Sequence, residues 1–111
     1  PSINLLKTGR HFRIGPQTKV IVGRNQHDNN LIEKYTLERD LVIRTTDYPG
    51  PTTLVPGGCD EADMHLAASL CVLFSDAPKD ERVKLICTRF GDVRTIETVA
   101  ADKAQAAQWI I

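Results

Sequence analysis

The order of apolar and turn-forming stretches predicts an α+β domain: one compact unit with a largely antiparallel sheet and two to three helices gathered on one face. Three observations carry this. Short β-like runs come in pairs, each joined by a segment too short to carry a helical crossover. Between the pairs lie stretches whose apolar residues recur at helical spacing. The 111 residues, 41% of them hydrophobic, supply apolar material for one two-layer core and no more. The resulting order is ββ-α-ββ-α-ββ-α.

Each element has its own justification. Ile3 to Leu6 is a short apolar lead-in. His11 to Ile14 and Lys19 to Val22 flank Gly15-Pro16-Gln17-Thr18 and read as a hairpin. Alternation puts Phe12 and Ile14 on one face of the first strand, and Val20 and Val22 on one face of the second. Asn25 or Asp28 can cap a helix reaching about Tyr35, with Leu31, Ile32 and Tyr35 as its buried stripe. Leu41 to Thr45 and Thr53 to Val55 are the next strands. Between them Asp47-Tyr48-Pro49-Gly50-Pro51-Thr52 is a stiff corner, because each proline fixes φ and biases its predecessor toward extended geometry. Cys59 or Asp60 opens the longest helix, to about Phe74. Leu66, Ala67, Leu70, Cys71 and Phe74 would form its packed face, and Asp60, Glu61 and Asp63 would meet its positive end. Val83 to Thr88 and Thr95 to Val99 form the last strand pair around Phe90-Gly91-Asp92. A closing helix runs from Ala101 to Trp109, with Trp109-Ile110-Ile111 as a packed anchor.

Totals exclude several classes of function. Formal net charge is zero, so global charge selects no partner. Its distribution is uneven: Lys7, Arg10, Arg13, Lys19 and Arg24 face Asp28 alone in the first thirty residues, and the stretch from Leu31 to Asp80 is acidic. A basic first third can be an anion-binding face or ordinary solvated surface. Three cysteines without a CxxC pair fit neither a disulfide framework nor a zinc knuckle, and point to a reducing, cytoplasmic setting. No apolar run approaches the roughly 20 residues that span a bilayer. No stretch reads as a signal peptide. The chain begins at Pro1 and its single methionine is Met64, which reads as a processed chain or a domain excised from a longer one.

Motifs for catalysis are missing. GxxxxGK[ST], GxGxxG and HExxH are absent, and His11, His27 and His65 have no metal-ligand spacing. No metal and no cofactor is therefore expected. Cys59 follows two glycines at a helix start, where a thiol pKa can fall, but Asp60, Glu61 and Asp63 would oppose a thiolate. A thiol enzyme or sulfur carrier using Cys59 is the weakest reading. Binding has more to work with. Arg10, Arg13 and Arg24 offer planar forks matched to phosphate. Tyr48 can stack on a base, and Asn25 and Asp47 can shape a recognition edge. The same residues have ordinary uses: Tyr48 packed on Pro51, Asp47 closing an Asx-turn, Arg24 paired with Asp47. From spacing alone, nucleic-acid binding and generic surface fit equally.

Four blocks add a resemblance. Gly9-Arg10-His11-Phe12-Arg13, Val20-Ile21-Val22-Gly23-Arg24-Asn25, Asp28-Asn29-Asn30 and Asp47-Tyr48-Pro49-Gly50-Pro51 together resemble the NFACT-R family of RNA-binding domains. The version here is similar to the form at the C-terminus of ATP-pyrophosphatase-type tRNA thiolation enzymes, relatives of the 4-thiouridine synthase and the 2-thiouridylase. The resemblance implies that residues 1–111 are one non-catalytic α+β module that binds RNA, tRNA in particular, for a separate catalytic pyrophosphatase domain. The positions it carries over are Arg24, Asn25, Asp47, Tyr48 and Gly50, to which the residue chemistry adds Arg10 and Arg13. SGGxDS, the pyrophosphatase loop, is absent, so these residues perform no adenylation. The alternative is a protein-interaction or dimerisation module, the acidic middle of one copy meeting the basic third of another.

Overall fold

The computed structural model describes residues 7–111, so the apolar lead-in Ile3 to Leu6 lies outside it. Nine elements follow the expected order. Strands β1 (Arg10–Gly15) and β2 (Thr18–Val22) form a hairpin. Helix α1 (Gln26–Tyr35) follows, then β3 (Leu41–Thr45) and β4 (Thr53–Val55). Helix α2 (Glu61–Leu73), β5 (Val83–Arg89), β6 (Asp92–Thr98) and α3 (Lys103–Trp109) complete the fold. Every neighbouring pair in the sheet is antiparallel, in the order β1-β2-β4-β3-β5-β6.

The sheet is covered on both sides over β2, β4 and β3. Val20, Val22, Leu41, Ile43 and Val55 join α2 and Ala106 of α3 in the main core. Ile21, Val42 and Leu54, one residue out of phase, meet Ile32 of α1 on the other face, with Leu31 and Tyr35 packed alongside. Two helices therefore gather on one face, and the third lies opposite. This is why β2, β3 and β4 read as unbroken apolar runs, the pattern of strands buried on both sides. β5 alternates buried and exposed, because α1 does not extend over it.

Both long helices are capped as their sequences require. Asn25 Oδ1 accepts from the Asp28 N–H at 2.9 Å, and Asp60 Oδ1 accepts from the Asp63 N–H at 2.8 Å. Three details depart from expectation. Strand β6 starts at Asp92 rather than Thr95, because Phe90 and Gly91 both adopt positive φ (53° and 80°) and close a two-residue hairpin that pairs Arg89 with Asp92. Leu66 stands on the partly exposed side of α2, while Met64 and Val72 are buried in its place. At the C-terminus Trp109 packs on the core, but Ile110 and Ile111 are exposed. They are held by backbone: Ile110 bridges Phe12, and the Ile111 N–H donates to the His11 carbonyl at 3.0 Å.

Candidate nucleic-acid interface

Register brings six of the seven sequence-selected residues to one end of the sheet. Arg10 pairs with Val22, Val22 with Thr53, and Thr53 with Ile43. The start of β1, the turn Gly23-Arg24-Asn25 and the Asp47–Thr52 corner therefore share that end. Arg13 does not join them. It sits three residues along β1 opposite Lys19, about 10 Å away at the usual strand rise, on the alternate face from Arg10.

The Gly23-to-Asn29 turn is committed to the fold. Asp28 is 4% exposed. Its Oδ2 accepts from Arg24 twice, from the backbone N–H at 3.0 Å and from Nε at 2.8 Å. The Arg24 hydrogen bond holds the Asp28 carboxyl below the usual carboxylate range, and burial works against it. Arg24's partner is thus Asp28, not Asp47, although 46% of its side chain still meets solvent. Asn25 uses its side-chain oxygen as the α1 cap. Asn29 Oδ1 accepts from the buried Thr52 N–H at 3.0 Å and ties the corner to α1. A Cβ on Gly23 would stand 2.0 Å from that same oxygen, so only glycine permits the tie.

The corner is pinned to the end of α2. The Asp76 N–H donates to the Pro49 carbonyl at 2.8 Å, and Thr45 Oγ1 donates to the Tyr48 carbonyl at 2.7 Å. A Cβ on Gly50 would meet Thr45 Oγ1 at 2.7 Å and Ser75 Cβ at 2.9 Å, so Gly50 serves close packing. Asp47 and Tyr48 are exposed on the loop itself.

Arg10 differs from Arg24. Its guanidinium carbon lies 4.7 Å from the Phe74 ring centroid, and that ring tilts against Phe12 at 5.8 Å. Among the described residues no carboxylate pairs with Arg10. It borders a groove of about 580 Å³ between β1, the end of α2 and α3, which Lys103 also lines and, among the described residues, no acidic one does. Lys79 caps α2 nearby, donating to the Val72 carbonyl at 3.0 Å and to that of Ser75. Sequence reasoning missed Phe74 and Lys103 as site residues: Phe74 reads as core, and Lys103 as an ordinary surface lysine.

Burial, then Asp63 and Asp60, push the Cys59 thiol up to about 11, opposite to what a nucleophile needs. Cys71 and Cys87 are buried free thiols. Among the described residues no three His, Cys, Asp or Glu side chains are grouped to hold a metal ion, and no helix is long and apolar enough to cross a membrane.

The family model described as "NFACT protein RNA binding domain" matches residues 9–110. No curated protein sequence matches the chain. Among solved structures, the C-terminal part of the fibronectin/fibrinogen-binding protein from Streptococcus suis superposes with a TM-score of 0.81 at 18% identity. The alignment covers 94% of this chain and 49% of that one, so the chain spans about half of that relative's length. At that identity the likeness is one of fold.

Proposed function

We propose, from a chain that belongs to the family of the NFACT protein RNA-binding domain, that its RNA is tRNA and that it is engaged at the sheet end bearing Arg10, Tyr48 and Asp47. The family match over residues 9–110 carries the RNA reading. Arg10 supports the location, since its donors are unspent beside a recess without carboxylates. Arg24 contributes its exposed half, and Asn25 and Gly50 act by holding the turn and the corner in shape. The domain does no chemistry of its own: it delivers RNA to a catalytic domain in the same chain. The "LLKTGRHFRI" and "DYPGP" blocks favour a parent of the ATP-pyrophosphatase tRNA sulfur-transfer type. An SGGxDS loop in the sequence adjoining these residues supports that parent, and its absence removes it. The ligands named for the S. suis relative lend nothing here, because the shared feature is the fold.

The test is a binding titration of the domain with unfractionated tRNA at several salt concentrations. Wild type binds with a salt-dependent affinity. Arg10→Ala weakens it and flattens the slope of log K against log salt by roughly 0.7–0.9, one phosphate contact. Failure to retain tRNA at low salt overturns the reading.

A further inference from the structure

We propose that the groove between β1, the C-terminal end of α2 and α3 seats one unstacked nucleotide of single-stranded RNA, its base against the outer face of the Arg10 guanidinium and its phosphate at Lys103. This rests on the RNA reading above and adds the strandedness of the ligand and two residues to its site.

The geometry of Arg10 carries the argument. A guanidinium over a ring is held flat by the cation–π attraction. Phe74 occupies one face of Arg10, and Phe12 packs against Phe74 at a tilt, with ring centroids 5.8 Å apart. The other guanidinium face is left for a second flat group, and bases stack on arginine planes as they do on aromatic rings. A base on that face would add to the contacts that Arg10 and Phe12 already make with Phe74. Because the Arg10 side chain makes no hydrogen bond among the described residues, its in-plane N–H groups remain for phosphate or base-edge acceptors.

The recess has the size and character for this occupant. At about 580 Å³ it has room for a nucleotide and little else. Leu73, Phe74, Ala106 and Ala107 make its apolar walls, and among the described residues Arg10 and Lys103 are its charged lining residues. An apolar recess with cations and no carboxylate suits a flat, anionic ligand. A duplex presents phosphates on a convex surface with its bases inside, and could use the cations but not the recess.

The experiment uses a labelled oligoadenylate, free and annealed to oligouridylate, with the 111-residue chain. The single strand is expected to bind about tenfold more tightly than the duplex, the scale of one stacking contact. Arg10→Lys keeps the charge but not the plane, and should lose most of that preference. Lys103→Gln, on an exposed helix where folding is not at stake, should lower the salt slope by roughly 0.7. Lys84→Gln, on the open face of β5, is the control and should change neither. Equal affinity for strand and duplex, or variants that bind as wild type does, overturns the groove while leaving RNA binding intact. Binding to neither RNA overturns both readings.

Discussion

Two regions at the same end of the sheet use polar residues in opposite ways. Where the chain enters α1, from Gly23 to Asn29, Arg24, Asn25, Asp28 and Asn29 all make hydrogen bonds within the fold. In the groove beside α3, Arg10 rests on a ring and Lys103 lines an open recess, both without carboxylate partners among the described residues. The first region is the conspicuous one in sequence, and the second is nearly silent there. The contrast teaches that a recognisable motif can mark where the backbone must be held rather than where a ligand is touched. The turn gives the corner its position, and the groove supplies the unspent donors.

The largest expected effect breaks the turn. Gly23→Ala places a methyl group on the Asn29 oxygen and strands the buried Thr52 N–H, costing about 2–3 kcal/mol. A urea melt should show it as a lower midpoint, and a midpoint equal to wild type would mean that the tie bears no load. Asp28→Asn should cost less, about 1–2 kcal/mol, because an amide oxygen still accepts from one donor.

Asp28 also predicts a pH dependence. Its folded pKa is depressed by Arg24, so the unfolded chain binds the proton more readily. The stabilisation is complete above the ordinary aspartate value of about 4 and is lost as pH falls through the lower folded value. Acid titration of the melting midpoint should therefore fall less steeply below that pH in Asp28→Asn than in wild type. Parallel curves would show that the pair does not couple to folding. The smallest expected effect sharpens the comparison from the other side. Arg13→Ala, remote from the groove and on the alternate face of β1, should leave tRNA affinity within about twofold and stability within about 0.5 kcal/mol. A loss comparable to that of Arg10→Ala would move the interface along β1.

Much of the architecture was legible because glycine and proline punctuate it. The hairpin around Pro16-Gln17, the Pro49-Gly50-Pro51 corner and both helix caps stand where local chemistry requires them. The covering of both sheet faces was present in the Val20-Ile21-Val22 and Leu41-Val42-Ile43 runs, whose lack of alternation means burial on two sides. Gly91 marked the turn, but a two-residue hairpin with β6 starting at Asp92 was hidden because it needs Phe90 at a positive φ that its side chain disfavours. The groove was hidden for a different reason. Arg10 meets Phe74 only because β1 lies at the edge of a sheet whose order is β1-β2-β4-β3-β5-β6, and no local pattern specifies that order. Arg13 looked equivalent to Arg10 until alternation along one strand separated them.

The two rims of the sheet are not alike. Along β1, the bridge from Ile110 to Phe12 and the Ile111 amide on His11 fill part of the hydrogen-bonding edge with the chain's own tail. Along β6, whose seven positions from Asp92 to Thr98 pair with β5 on one side, no strand lies on the other side among the described residues. Unpaired N–H and C=O groups there are a template for another strand, and Asp92, Arg94 and Glu97 are the charges that discourage one. Neutralising them would remove that guard, and lateral growth of the sheet would proceed from β6 and away from the groove.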